Sequence, residues 1–221
     1  MQIKVIRKIL EANDRISDQL KQLFMGKGIL VINLMSSPGA GKTTLLEKTL
    51  TDLKGEFNMA VIEGDLQTSN DAERIAATGA QVIQINTEGG CHLDGSMVLE
   101  AIGQMDLDNV DILFVENVGN LVCPAEFSVG EDFKVTILSV VEGDDKPEKY
   151  PLIFAESRVM LLNKTDLLPY VDFNMEKASN FAKSLNFDIE IYPISAKTRD
   201  GMNLWYDWLR KEVRNKKKDN G

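Results

Sequence analysis

Residues 35–44, Met35-Ser36-Ser37-Pro38-Gly39-Ala40-Gly41-Lys42-Thr43-Thr44, constrain this chain more than any other stretch. They follow Ile29-Leu30-Val31-Ile32-Asn33-Leu34, a β-branched and almost wholly apolar run that reads as a strand buried on both faces. Beyond them, residues 43–54 place Leu45, Leu46, Leu50 and Leu53 at helical spacing. A strand, a Gly-rich turn and a helix start are the context a phosphate-binding loop needs. Gly39 and Gly41, on either side of Ala40, let backbone N–H groups curl toward an anion, and the helix N-terminus adds partial positive charge. Lys42 is spaced to reach the β- and γ-phosphates, and Thr43, ahead of Thr44, offers a hydroxyl to Mg²⁺. Ser36 stands where the pattern G-x-x-x-x-G-K-[ST] begins with glycine. Serine serves there if the residue need not adopt a positive φ.

Around this motif, Ile3, Ile6, Ile9, Leu10, Ile16, Leu20, Leu23 and Phe24 form one stripe of an amphipathic helix over residues 3–24, ended by Gly26-Lys27-Gly28. Further strands are expected at 58–62, 81–85, 111–115, 135–141, 159–162 and 189–192. Helices are expected near 71–78, 96–103, 172–185 and 200–213. Strands alternating with helices build parallel βαβ units. The expected fold is a single α/β domain over residues 1–221, with a mostly parallel seven-stranded sheet flanked by helices on both faces, of the P-loop NTPase kind. The net charge of −9, from 34 acidic and 25 basic residues, weighs against a nucleic-acid partner. The basic run at 214–218 reads as a frayed, solvated terminus. No apolar run approaches the roughly 20 residues of a membrane span. Lys4, Arg7 and Lys8 interrupt what a secretory signal would need as its apolar core. A cytoplasmic protein without membrane contact is expected, and its two cysteines are left for ligand or catalytic roles.

Asn163-Lys164-Thr165-Asp166 follows the strand at 159–162. N-K-x-D at a strand end reads guanine. Asp166 would take N1–H and N2–H₂ as a bidentate pair, Asn163 would fix neighbouring backbone or O6, and the Lys164 stem would pack on the ring. Ser195-Ala196-Lys197, after the last strand, matches the second base-side loop of GTPases. Asp65 and Glu116 end buried strands, the edge where ligands gather in open α/β sheets. Near Thr43 they are candidates to hold Mg²⁺ or its waters, and with Lys42 they are the candidate catalytic groups. Gly119 could offer its N–H to the γ-phosphate. The attacking water is left to Asp65 or to a partner.

The sequence holds one histidine and two cysteines: Cys91 and His92 after the third strand, Cys123 after the fourth. If those strands lie near one another, the three converge beside the γ-phosphate loops. Thiolate and imidazole suit Zn²⁺ or Ni²⁺, and three ligands leave a tetrahedral position to water or to a second subunit.

These residues carry a resemblance. Residues 37–43, Glu63-Gly64-Asp65, residues 88–94, residues 116–124 and Asn163-Lys164-Thr165-Asp166 resemble the HypB family, GTPases that help deliver nickel to [NiFe] hydrogenase. Gly90-Cys91-His92-Leu93 and Val118-Gly119-Asn120-Leu121-Val122-Cys123-Pro124 are the family-specific parts. The resemblance implies a SIMIBI-like GTPase with slow GTP hydrolysis to GDP, a GTP-dependent homodimer, and metal bound at the subunit interface by Cys91, His92 and Cys123. It also implies a HypA-like metallochaperone as partner, and the hydrogenase large subunit as an indirect one. Some members carry an N-terminal Cys-rich nickel site or a His-rich stretch. In this sequence no Cys precedes Cys91 and His92 is the only His, so neither is expected. The alternatives are a urease accessory GTPase, whose family sets Cys-Pro-His together, a passive Zn/Ni chaperone with a vestigial nucleotide site, and a P-loop kinase.

Overall fold

The structure is a computed structural model that describes residues 2–65 and 70–219, with side chains over 10–65 and 70–218. In chain order the strands are β1 Leu30–Ser36, β2 Met59–Asp65, β3 Gln81–Asn86, β4 Ile112–Glu116, β5 Phe133–Ser139, β6 Val159–Asn163 and β7 Glu190–Pro193. The helices are α1 Gln2–Lys27, α2 Lys42–Leu53, α3 Asn70–Ala76, α4 Gly95–Ile102, α5 Cys123–Glu126, α6 Lys146–Lys149, α7 Pro151–Ala155, α8 Met175–Leu185 and α9 Met202–Asp219. The strands form one sheet in the order β3-β2-β4-β1-β5-β6-β7, and every pairing in it is parallel. The expected "mostly parallel" sheet is therefore wholly parallel among the described residues.

Alternation along β1 explains the layering. Leu30, Ile32 and Leu34 face α2 and α9 across a core that includes Leu46, Leu50, Trp205 and Leu209. Val31 points the other way, to Leu20 and Phe24 of α1 and Val98 of α4. Met35 points to the same side as Val31, into the core under α7 and α8. A strand covered on both faces needs apolar residues at every position, which is why it reads as a run rather than an alternation. Asn33 is the exception in that run, fully buried in mid-strand. The chain winds outward from β4 to β2 and β3 on one side of β1, and to β5, β6 and β7 on the other. This reversal puts the loops after β1, β2 and β4 side by side at the carboxyl edge.

Three expectations are adjusted. Leu23 of α1 is 39 % exposed, so the buried stripe is narrower than the sequence pattern, and Ile3, Ile6 and Ile9 have side chains outside the described residues. Residues 214–218 are not frayed: they belong to α9, with Lys216 on Asp132 and Lys217 on Asp111, both at 2.6 Å. Those aspartates sit at the amino edge of the sheet and accept the N–H groups of Val31 and Asn58, a tertiary partnership invisible in a local reading. α5, α6 and α7 were not expected, each being one turn or little more. No described helix is long and apolar enough to cross a membrane.

Candidate nucleotide site and metal centre

β1 ends in Ser36, and the turn into α2 runs through Gly39 (φ 75°) and Gly41 (φ 103°). Both are left-handed conformations that a side chain would strain. Ser36 is not at positive φ, so nothing there calls for glycine. Its buried hydroxyl instead accepts from Lys42 Nζ at 2.9 Å and donates to the Ser37 carbonyl at 2.6 Å. Burial pulls the Lys42 ammonium below its ordinary pKa, and the charges of Glu116, Asp71 and Glu63 oppose that. Thr43 Oγ1 donates to Glu116 Oε1 at 2.8 Å. Burial pushes Glu116 up to about 6, with Lys42 and Thr43 pulling back. Asp65 closes β2 and lines the same cleft, of about 420 Å³, together with Gly41, Lys42, Thr44, Glu116 and Gly119. Gly119 lies on the phosphate loop: a Cβ there would stand 2.9 Å from Pro38 Cα.

The sequence reading missed Glu63 as a site residue. It is the register partner of Glu116 on the adjacent strand, nearly fully buried, and it lines the cleft. Burial, then the charges of Glu116 and Asp65, push it up to about 8. Glu63 Oε2 and Glu116 Oε2 are both buried without a hydrogen-bond partner. Clustered carboxylates with unspent oxygens beside a threonine hydroxyl fit a hard divalent cation such as Mg²⁺. The available signal was a second carboxylate two residues before Asp65, on the same face of the strand. Arg74 of α3 was missed too: it donates to Thr44 Oγ1 at 3.2 Å and pairs with Glu47 at 2.7 Å.

On the base side, Asn163 works as a staple. Its Nδ2 donates to the Ala40 carbonyl at 2.9 Å, and its Oδ1 accepts from Ala196 N at 3.1 Å. Gly41 leaves room for it, since a Cβ would stand 2.6 Å from Asn163 Nδ2. Lys164, itself left-handed at φ 63°, donates to the Gly39 carbonyl at 2.7 Å. The buried amide therefore fixes backbone, and the lysine head reaches the phosphate loop. Asp166 Oδ1 accepts from Ser195 Oγ at 2.7 Å, which orients the carboxylate beside Ala196 and the exposed Lys197.

β3 and β4 are not neighbours, because β2 lies between them. Their following loops nonetheless meet over the end of β2, where buried Leu93 packs on Gly64. Cys91 Sγ lies 2.9 Å from Cys123 Sγ, at the first residue of α5, and 3.5 Å from His92 Nδ1. The three ligand atoms all fall within 4.8 Å of one another. Both cysteines are half-buried. The His92 ring stacks on Phe127, centroids 3.9 Å apart, and burial lowers its pKa toward the neutral, ligating form. The Cys91 hydrogen bond and burial push Cys123 up to about 11, so a metal must displace a proton to bind there. Two thiols and one imidazole in this spacing are a soft-metal ligand set.

The family model "CobW/HypB/UreG, nucleotide-binding domain" matches residues 30–193. The hydrogenase maturation factor HypB of Escherichia coli (strain K12) is 54% identical over 201 residues, covering 91% of this chain and 69% of that protein. This chain belongs to the HypB family. Two solved HypB structures share its fold. That of Helicobacter pylori, in complex with nickel, has a TM-score of 0.88 at 36% identity, over 92% of this chain and 96% of that one. That of Archaeoglobus fulgidus has a TM-score of 0.86 at 33% identity, over 92% and 99%. Membership in HypB establishes the P-loop nucleotide-binding fold.

Proposed function

We propose that this HypB-family chain binds GTP with Mg²⁺, hydrolyses it slowly, and uses the nucleotide state to hold and release nickel for hydrogenase maturation. One observation carries the reading: three soft ligands lie within 4.8 Å on loops that leave the same sheet edge as the nucleotide cleft. The nickel complex of the Helicobacter pylori relative supports it. In this reading Gly39, Ala40, Gly41, Lys42, Thr43 and Thr44 cradle the phosphates, and Gly119 senses the third. Asp166 reads guanine, Ser195 orients it, and Asn163, Lys164, Ala196 and Lys197 shape the base pocket. Thr43, Asp65 and Glu116 would hold Mg²⁺, with Glu63 behind them; the ion, when bound, neutralises phosphate oxygens. Lys42 stabilises charge developing on the phosphates, and Asp65 orients the attacking water. Cys91, His92 and Cys123 hold nickel, with zinc an equally suitable occupant of the same donors. Their half-exposed position suits a subunit interface, where a GTP-bound homodimer would bring two triads together. A HypA-like metallochaperone would exchange metal with it, and the hydrogenase large subunit would be reached indirectly.

The test has two parts. In a single-turnover assay the parent should release phosphate from GTP. Lys42→Ala should release none while still unfolding cooperatively. In a Ni²⁺ titration the parent should bind more tightly with a GTP analogue than with GDP, by about fivefold to a hundredfold. Cys123→Ala should bind weakly in both states. A parent that releases no phosphate overturns the GTPase, and an unchanged Cys123→Ala overturns the metal site.

A further inference from the structure

Asn117 follows Glu116 and is fully buried. Its Oδ1 accepts from Leu93 N at 2.9 Å and from Val118 N at 3.0 Å. Its Nδ2 donates to Asn33 Oδ1 at 3.2 Å, inside β1. One side chain thus joins three segments. Leu93 directly follows Cys91-His92. Val118 opens the loop through Gly119 to Cys123. Asn33 lies on the strand that feeds the phosphate loop. A buried bond broken without replacement leaves a desolvated polar group unpaired, so these segments do not move independently at this point. Asn33 Nδ2 is buried without a partner, which leaves the amide pair a spare donor for a second arrangement.

The far ends of the same two loops are tied by another amide. Asn13 of α1 accepts from Gly95 N at 2.7 Å and donates to the Ser128 carbonyl at 2.9 Å. Ser17 adds a bond to Ser128 Oγ at 2.6 Å. Asn117 lines the nucleotide cleft, whereas Asn13 is not among the residues around it. The loops are therefore anchored to α1 at one end and fastened to the nucleotide edge at the other.

We infer that Asn117 is the positioning residue through which nucleotide state reaches the metal triad. The inference rests on the coupled reading proposed above and names the side chain that transmits it. A γ-phosphate that draws in the backbone of Gly119 shifts Val118. Asn117 Oδ1, which accepts from Val118 N and Leu93 N, carries Leu93 with it and so moves His92 and Cys91 relative to Cys123. Asn13 holds the loops without reporting the nucleotide.

The experiment measures the Ni²⁺ dissociation constant of the full chain, loaded with Mg²⁺ and either GDP or a non-hydrolysable GTP analogue. It compares the parent, Asn117→Ala, Asn117→Ser and Asn13→Ala. The parent ratio between the two states is expected at about fivefold to a hundredfold. In Asn117→Ala it should fall to within about twofold of one, by the criterion that reciprocal coupling has vanished. Asn117→Ser, whose oxygen is too short to reach Leu93 N, should do the same and serves if the alanine variant does not fold. Asn13→Ala should weaken Ni²⁺ binding in both states and keep the parent ratio. A parent ratio preserved in both Asn117 variants overturns the assignment, as does a collapse in Asn13→Ala equal to theirs. A parent ratio of one overturns the coupled reading itself and this inference with it.

Discussion

Carboxylates of one kind do different work here because their surroundings differ. Asp166 Oδ1 accepts from Ser195 Oγ, and in the reading proposed above this carboxylate meets the guanine edge. Asp166→Asn should lose guanine affinity roughly tenfold to a hundredfold and gain tolerance for xanthine, whose C2 carbonyl accepts from the new amide. Equal GTP affinity of variant and parent in a competition titration would remove the base-reading role. Glu63 is the opposite case, a carboxyl buried beside Glu116 and raised to about 8 from an unfolded value of 4.5. Between those pH values the folded protein keeps a proton that the unfolded chain has released. Stability contributed by that proton is present below about 4.5 and is lost as pH rises through about 8. Glu63→Gln has no proton to lose. Without nucleotide or Mg²⁺ its melting temperature should match the parent near pH 5 and exceed it at pH 9, by a margin corresponding to roughly 2–5 kcal/mol. A constant difference across the range would show that ionisation of Glu63 does not limit stability. The sequence offered both carboxylates, but only the register pairing of Glu63 with Glu116 sets Glu63 as a buried carboxyl beside another.

Among the elements, the phosphate loop is held by its neighbours as much as by its own sequence. Gly39 and Gly41 share a left-handed backbone, yet only Gly41 is crowded, by Asn163 Nδ2. Gly39→Ala should therefore cost about 1–2 kcal/mol, the backbone penalty alone. Gly41→Ala should cost roughly 1–3 kcal/mol more, because the new methyl displaces the Asn163–Ala40 hydrogen bond. Urea unfolding of the two nucleotide-free variants measures the difference, and equal midpoints would count against the staple. The same comparison marks where sequence reading works. The strands and the long helices were legible, because apolar periodicity over a long window outweighs local noise. α5, α6 and α7 were not, because a single turn has no period to read. The basic end of α9 was misread for a different reason: its partners, Asp132 and Asp111, are remote in the chain.

For the whole molecule, Cys91, His92 and Cys123 lie at an open surface, with Val122 beside Cys123 50 % exposed. If GTP pairs two copies through this face, solution mass should double with a GTP analogue and Ni²⁺ and stay single with GDP. Val122→Asp should remain a monomer in both, since burying an unpaired carboxylate costs several kcal/mol. Light scattering after gel filtration reads this directly, and a parent that is monomeric throughout removes the dimer from the mechanism.

The amino-acid sequence by itself determined the chemistry available: Gly39, Gly41 and Lys42 at a strand-to-helix turn, Asp166 in N-K-x-D, and three soft ligands placed after two strands. Their types and short-range spacing are local facts, and the physics of phosphate, base and metal recognition constrains them tightly. Which of these groups meet, and what joins them, was decided by tertiary structure. Cys91, His92 and Cys123 converge although β2 separates their strands, because Leu93 crosses over Gly64. Glu63 becomes a second buried carboxylate only through its pairing with β4. Asn33 and Asn117, 84 residues apart, find each other because a buried amide must bond to another polar group and the sheet leaves them no water to use.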